Sequence, residues 1–300
     1  MKVTLTGATG RIGTPLVAAL KARGDEVAVL SRDPRRAEQR LGVEAHEWDL
    51  KQEPAPAAAL AGRDAVIHLA GEDIAQRWND AAKREIRDSR ELGTRNLVKG
   101  IAAAEPRPGT LASASGSNFY APGDNIVDET SAPGRDWLAD VCVRWEREAE
   151  AAAEHGLRVV RMRQGIVLDA QGGALAKMLA PFKAGVGGPV AGGNQYVPWI
   201  HHEDLIGLYL AVLDEPAFSG PLNAAAPEPA TNRDFSKALG SVLHRPAIAP
   251  IPGFTIKLMY GEMAQLVTTG VRMVPGRAHE LHYEFRHPEL HEALRDTLAG

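Results

Sequence analysis

The chain has 300 residues, of which 44% are hydrophobic, 24% are charged and 5% are aromatic. Lys and Arg total 34 against 38 Asp and Glu, so the net charge is −4 and no basic field suited to nucleic acid is expected. A single cysteine excludes an intrachain disulfide and a zinc site built on several cysteines. We recognise neither a leader peptide nor an apolar run of roughly 18 residues, and we expect a cytoplasmic protein without membrane or nucleic-acid partners.

Short β-rich runs alternate with longer helical patterns through the first half of the chain. The predicted strands are residues 3–6, 26–31, 43–48, 65–70, 110–115 and 157–163. The predicted helices are residues 14–23, a short basic helix from Asp33, and residues 78–104 and 137–155. This alternation predicts βαβ units with right-handed crossovers, and hence a parallel sheet.

The pattern changes after about residue 165, where glycine becomes frequent. The predicted elements here are a helix over 174–183, a helix over 203–213, a strand over 221–224 that returns to the sheet, and a helix over 231–243. We predict an α/β fold with a doubly wound parallel sheet and a smaller C-terminal α+β substrate lobe. The predicted boundaries are 1–165 plus about 199–224 for the sheet domain, and 166–198 with 225–300 for the lobe.

The sharpest local signal is the segment GATGRIG at residues 7–13, directly after the first predicted strand and at the start of the first helix. Gly7 permits the unusual turn, Gly10 lets backbone amides approach a pyrophosphate, and Gly13 lets the helix pack closely on the strand. The helix N-terminus then faces the phosphates with its partial positive charge. The segment predicts a dinucleotide site in a Rossmann-like domain; the competing interpretation is a merely structural turn.

The end of the second predicted strand indicates which dinucleotide is bound. NAD enzymes usually place Asp or Glu there for the ribose 2′-hydroxyl, whereas this chain has Ser31 and Arg32. A guanidinium matches a phosphate through paired hydrogen bonds, so we predict NADP(H), with Arg32 as the main contact and weaker cases for Arg35 and Arg36. The alternative is a solvated helix start. Asp49 either accepts from the adenine amino group or caps a turn.

Many ordered segments together resemble the short-chain dehydrogenase/reductase superfamily, in its extended or epimerase-like branch. The segments are GATGRIG (7–13), SR (31–32), HLAGEDIAQRW (68–78), SRELGT (89–94), SASGSNFY (113–120), VCVRWE (141–146), RMRQGIVL (161–168), GGALAKM (172–178), FKAGVGGP (182–189), WIHHEDL (199–205) and APEPATN (226–232). More narrowly, the whole chain resembles atypical epimerase-like proteins that have their own C-terminal domain and are labelled nucleoside-diphosphate-sugar epimerases or cell-division inhibitors.

The resemblance implies a set of cofactor-binding residues. They are Gly7, Thr9, Gly10, Arg11, Ile12, Gly13, Ser31, Arg32, Asp49, Leu69, Ala70, Gly71, Glu72, Glu85, Arg90 and Arg163. Within this set Arg163, with Gly165, would close over the nicotinamide end. For Glu85 and Arg90 the alternative is an exposed charged helix face. Ser115 would hydrogen-bond a reacting carbonyl, unless it only fills space on a packed strand.

The superfamily's usual catalytic pair, a Tyr followed four residues later by a Lys that lowers the phenol pKa, is missing. The tyrosines are Tyr120, Tyr196, Tyr209, Tyr260 and Tyr283, and they are followed at that spacing by Asp124, Ile200, Leu213, Ala264 and His287. Cys142 falls near the expected Lys. The substitutes considered are Tyr120, Lys177, His201 and Asp204, against the alternatives of a solvated lysine and an N-terminal cap. No metal site is expected.

These features predict an NADP(H)-dependent, epimerase-like oxidoreductase that acts by hydride transfer on an unidentified small carbonyl or sugar-like substrate. The catalytic candidates are Ser115, Tyr120, Lys177 and His201. The alternative is a catalytically silent NADP(H)-binding redox sensor or regulatory protein, which the missing pair favours. A homo-oligomer is one option for the assembly.

Overall fold

A computed structural model describes residues 1–299, and thirteen strands and eleven α-helices follow one another along that part of the chain. The strands are β1 (Lys2–Thr6), β2 (Glu26–Ser31), β3 (Glu44–Glu47), β4 (Ala65–His68), β5 (Thr110–Gly116), β6 (Gly123–Val127), β7 (Arg158–Gln164), β8 (Ile166–Leu168), β9 (Tyr196–Val197), β10 (Trp199–His201), β11 (Gly220–Ala224), β12 (Ala230–Thr231) and β13 (Val271–Met273). The helices are α1 (Gly13–Ala22), α2 (Pro34–Leu41), α3 (Asp80–Ala103), α4 (Trp137–Glu150), α5 (Gly173–Lys183), α6 (His202–Asp214), α7 (Asn232–Val242), α8 (Gly253–Tyr260), α9 (Gln265–Thr268), α10 (Gly276–Glu280) and α11 (Leu290–Ala299).

Seven strands form one parallel sheet in the order β11-β7-β5-β4-β1-β2-β3. Leu5 in the central strand β1 is in register with Val29 on one side and Ile67 on the other. The strand order reverses between β1 and β4, and ligands of doubly wound sheets bind at this crevice, beyond the carboxyl ends of the strands. The predicted doubly wound α/β fold is confirmed.

Helices cover both faces of the sheet, which is why its strands are almost wholly apolar. On one face, Leu16 of α1 and Leu208 of α6 pack in the same core as Leu5. On the other face, Leu97 of α3 packs in a core with Val66 of β4. The sheet edge that carries the loops is thereby held rigidly in place.

Outside the central sheet lie three two-stranded pairs that the sequence analysis did not predict as sheets. β8 pairs with β10 and β6 with β13, both in parallel, and β9 pairs with β12 antiparallel. Strands of two to five residues are too short for a periodic signal, and their partners are distant in sequence. Around them α5, α7 and α11 share a core that includes Leu175, Phe235 and Leu294.

Two predicted elements end earlier than expected. The helix predicted over 137–155 is α4 up to Glu150 and then a 3₁₀ turn over Ala151–His155 that stops at Gly156, whose φ is +87°. The strand predicted over 65–70 ends at His68. Within residues 1–299, no helix has both the length and the apolar character required to cross a membrane.

His68 at the end of β4 is completely buried, with Thr6 Oγ1 2.6 Å from its Nδ1 and Thr94 Oγ1 3.0 Å from its Nε2. Burial lowers the pKa of His68 to about 3. Below pH 6.5 the unfolded chain therefore protonates this imidazole while the folded protein does not. We expect His68 to lower the free energy of unfolding by about 1.4 kcal/mol for each pH unit from pH 6.5 down to about pH 3.

Urea unfolding of the native protein and of His68→Gln at several pH values between 7 and about 5 measures this effect. The variant should be less stable at pH 7, because its amide must replace both threonine contacts, but its stability should fall less steeply with acidification. Parallel pH dependences for the two proteins would contradict the expectation.

Candidate functional site

The glycine loop lies at the carboxyl end of β1 and requires glycine at two positions. Gly7 has φ +68°, and a Cβ there would lie 2.8 Å from the amide nitrogen of Ala70. A Cβ on Gly13 would lie 2.4 Å from the carbonyl oxygen of Gly7. The loop is thus closely packed between the start of α1 and the segment after β4, as phosphate-binding glycine loops require.

A cavity of about 480 Å³ opens beside this loop and is bordered by a row of arginines. Arg32, Arg36 and Arg40 all line it, and among residues 1–299 none of the three forms an ion pair. Arg35 does not line the cavity, so of the arginines considered from sequence, Arg32 and Arg36 reach it. Arg40 was missed, although its spacing of four residues from Arg36 on α2 places both on one helix face.

Polar residues at the ends of β2 and β3 complete this rim. The Ser31 hydroxyl accepts from the amide of Asp33, and Asp33 caps α2 by accepting from the amide of Arg36. Asp49 accepts from the amide of Lys51 and also lines the cavity. Both interpretations offered for Asp49 are therefore compatible with its position.

The segment after β4 forms the opposite wall of the same cavity. Its lining residues are Leu69, Ala70, Gly71 and Glu72, joined by Glu85 from α3. Glu85 forms an ion pair with Lys51, a lining residue that the sequence analysis missed. The Nη1 of Arg90 donates to the carbonyls of Glu72 and Ile86, and its guanidinium lies beneath Gly71.

A larger cleft of about 2260 Å³ continues from the cavity, and Thr9, Gly10 and Leu69 line both. Two polar contacts join its sides. Arg11 of the glycine loop pairs with Asp169, after β8, at 3.0 Å. Lys177 of α5 donates to the carbonyl of Ala75 at 3.0 Å. Ile12 also lines this cleft, so every predicted residue of the glycine loop except Gly13 lines one of the two spaces.

The side of the cleft formed by β5 and α4 contains a buried polar network. Ser115 Oγ donates to Glu146 at 2.7 Å, and Arg163 makes two bonds of 2.9 Å to the same carboxylate. Arg163 also donates to the Tyr120 hydroxyl at 2.8 Å, and that hydroxyl donates to Asn223 at 2.6 Å. Ser115 and Tyr120 line the cleft, whereas the Arg163 guanidinium is held inside the protein, packed on an aromatic ring.

Glu146 was missed by the sequence analysis. The available signal was its spacing of four residues from Cys142, which puts the carboxylate on the buried face of α4. Burial raises the pKa of Tyr120 to about 12, so its phenol stays protonated near neutral pH. Tyr120 therefore enters the network as a protonated phenol that donates to Asn223 and accepts from Arg163.

Leu138 and Cys142 line the cleft at the four-residue spacing of the missing Tyr and Lys. Burial raises the pKa of Cys142 to about 12, so its thiol is protonated and unreactive at neutral pH. This part of α4 presents apolar groups where the superfamily's usual acid–base pair would stand.

The structure does not bring His201 or Asp204 to the cleft surface. His201 is completely buried, and burial lowers its pKa to about 4. Its Nδ1 accepts from the amide of Glu203, and its Nε2 lies 3.3 Å from a carboxylate oxygen of Asp296. The Asp204 carboxylate accepts from the amides of Arg286 and His287 and so joins α6 to the C-terminal segment.

The doubly wound sheet, the glycine loop at its switch point and the arginine-bordered cavity together define a dinucleotide-binding protein of the short-chain dehydrogenase/reductase type. Residues 3–225 match the NAD dependent epimerase/dehydratase family, and residues 251–297 match a domain of unknown function (DUF1731). The chain therefore belongs to the NAD dependent epimerase/dehydratase family.

Similar proteins extend over the whole chain. A chloroplastic homolog of epimerase family protein SDR39U1 from Arabidopsis thaliana is 38% identical over 98% of this chain and 86% of its own length. Epimerase family protein SDR39U1 from Bos taurus is 36% identical, with 100% of both chains covered. The crystal structure of human epimerase family protein SDR39U1 (isoform 2) with NADPH superposes with a TM-score of 0.89, at 34% identity and 100% coverage of both chains.

Proposed function

We propose that the protein is an NADPH-binding, epimerase-like oxidoreductase that exchanges hydride with a small carbonyl or sugar-like substrate, in the cytoplasm. The observation that carries the proposal is the junction of two spaces at the glycine loop. One is bordered by three unpaired arginines, and the other holds the Ser115 hydroxyl. The presence of NADPH in the human relative's crystal structure supports the same cofactor here.

The described residues fit this cofactor. Backbone amides of the glycine loop and the N-terminus of α1 would hold the pyrophosphate. Arg32, with Arg36 and Arg40, would hold the 2′-phosphate, since none of the three forms an ion pair within residues 1–299. When bound, the nicotinamide would supply or accept the hydride.

Ser115 and Glu146 would handle the proton that accompanies the hydride. Because the Ser115 proton points to Glu146, the serine oxygen is free to accept a hydrogen bond from a substrate hydroxyl. During alcohol oxidation the substrate proton would move to Ser115 as the Ser115 proton moves to Glu146. For carbonyl reduction Glu146 would start protonated and pass its proton to Ser115 as the Ser115 proton moves to the substrate oxygen, while Arg163 holds the carboxyl group in position.

Ser115→Ala tests this role. The variant should lose about 10²–10⁴-fold in kcat, the usual contribution of positioned proton transfer, while its Kd for NADPH stays unchanged. Turnover is followed by NADPH absorbance across a panel of carbonyl compounds and, in reverse, alcohols. Ser113→Ala is the matched control, because Ser113 is buried on the same strand and bonds a backbone carbonyl. Full activity in Ser115→Ala, or no turnover of any compound by the native protein, would refute the role.

A second candidate function is a catalytically silent NADPH-binding sensor. Leu138 and Cys142, where the usual pair would stand, favour it. This function predicts NADPH binding without oxidation and a change of assembly, such as homo-oligomer formation, when the cofactor binds. Identical sedimentation of the protein with and without NADPH would count against the sensor.

A further inference from the structure

The lobe side of the large cleft is predominantly apolar. Its side chains include Met178, Val197, Phe235, Ile256, Met263 and Leu266. The polar members on this side, such as Gln195, Asn232 and Thr269, are mostly uncharged. Such a wall stabilises a ligand by removing apolar surface from water.

Positive charge is scarce on the same side. From Gly173 to the end of the described chain, Lys177 is the one Lys or Arg that lines the cleft, and its ammonium bonds the carbonyl of Ala75. The other ionisable groups on this side include the acidic Glu203 and Asp296, together with His202. A sugar nucleotide carries a diphosphate whose oxygens need several charge-assisted donors when they leave water.

The cations on the opposite side do not supply that need. Arg11 is paired with Asp169, and Arg90 donates to two backbone carbonyls below Gly71. Arg77 is exposed and is a single guanidinium, in a segment that also carries Asp73. Arg40 also lines the cleft, where it meets the smaller cavity, and there it is assigned to the 2′-phosphate of NADPH. Arg77 alone is then a weak receptor for a doubly charged group.

The apolar wall continues to the protein surface along α8. Ile256 and Tyr260 of this helix line the cleft, while Leu258, on another face, is 84% exposed. No residue of α8 is buried. The cleft therefore has an apolar mouth as well as an apolar interior.

We propose that the substrate is a neutral, apolar carbonyl compound and not a sugar nucleotide, a refinement that rests on the proposed function. The carbonyl group would lie at Ser115, and the apolar body would extend along the lobe wall towards Ile256. The space of about 2260 Å³ is large enough for a compound of this class with a long apolar chain.

The test compares 2-decanone, a neutral ketone with an apolar chain, with UDP-glucose. Each is titrated against the full-length protein, with and without saturating NADPH, and binding is followed by displacement of the neutral apolar dye Nile red. Two variants of α8 distinguish binding in the cleft from binding on the outer surface. Ile256→Glu places a carboxylate on the lining, and Leu258→Glu places one on the exposed face.

We expect the ketone to displace the dye and UDP-glucose not to displace it. Ile256→Glu should weaken ketone binding by about tenfold or more, because the ligand would have to desolvate a carboxylate, and Leu258→Glu should leave it unchanged. Tighter binding of UDP-glucose, no ketone binding in either state, or equal losses in both variants would overturn the inference. Failure of NADPH to bind would instead refute the proposed function, and the cofactor-free titration would still decide the inference.

Discussion

Arg32→Ala should weaken NADPH binding by roughly ten- to one-hundredfold and leave NADH binding almost unchanged. A guanidinium that contacts a phosphate contributes about 1.5–3 kcal/mol through charge-assisted bonds, and NADH has no phosphate at this position. Arg32 is suited to this contact because it borders the cavity and has no ion-pair partner within residues 1–299. Its removal therefore leaves no carboxylate unpaired, and the fold should be unaffected.

Titration with NADPH and separately with NADH, followed by tryptophan quenching, measures the effect, since Trp48 lines the same cavity. Arg35→Ala is the matched control, because Arg35 is exposed on α2, the helix that follows Arg32, and does not line the cavity. Arg40→Ala should give a loss smaller than that of Arg32→Ala. Equal affinity of the native protein for both dinucleotides would show that the arginines do not bind the 2′-phosphate.

Glu146→Gln should lower the free energy of unfolding by about 3–5 kcal/mol, the usual cost of breaking a buried ion pair from one side. Glu146 and Arg163 are each only 4% exposed, and the carboxylate receives two bonds from the guanidinium. The variant keeps the shape of the side chain but leaves Arg163 as an uncompensated buried charge. Denaturant unfolding at pH 7 measures the difference.

Asp140→Asn provides the comparison on the same helix. Asp140 pairs with Arg144, and both side chains are largely exposed, so the loss should be at most about 1 kcal/mol. Combining Glu146→Gln with Arg163→Met should recover part of the lost stability, because the orphaned charge is then gone. If Glu146→Gln and Asp140→Asn lowered the free energy of unfolding equally, the buried pair would not make the predicted contribution to stability.

The sheet was predictable because its signals are local. A strand covered on both faces consists almost entirely of apolar residues, as in β4. The glycine spacing of residues 7–13 is also a local signal, because a Cβ at Gly7 or at Gly13 would collide with neighbouring backbone atoms. The paired short strands outside the central sheet have no such local signal. Val271 pairs with Gly123, for example, and nothing near either residue indicates the other.

Site residues were predictable only where the role of a residue follows from its place on its own strand or helix. Arg32 at the end of β2 and Ser115 on β5 were found in this way, and both line the spaces described here. Glu146 was missed because its importance depends on Ser115 and Arg163, which approach it from other strands. For the same reason Arg163 was assigned to the nicotinamide end, whereas its partners hold its guanidinium inside the protein.

The lobe core is formed by helices that lie far apart in the sequence, and this has a consequence for biosynthesis. The last strand of the central sheet, β11, ends at Ala224, so the sheet can close while the remainder of the chain is still being made. Leu175 of α5 shares its core with Leu294 of α11, which is synthesised long after β11. The apolar face of α5 therefore lacks part of its packing beside a finished sheet until α11 has been made, which makes this segment prone to misassembly in the nascent protein.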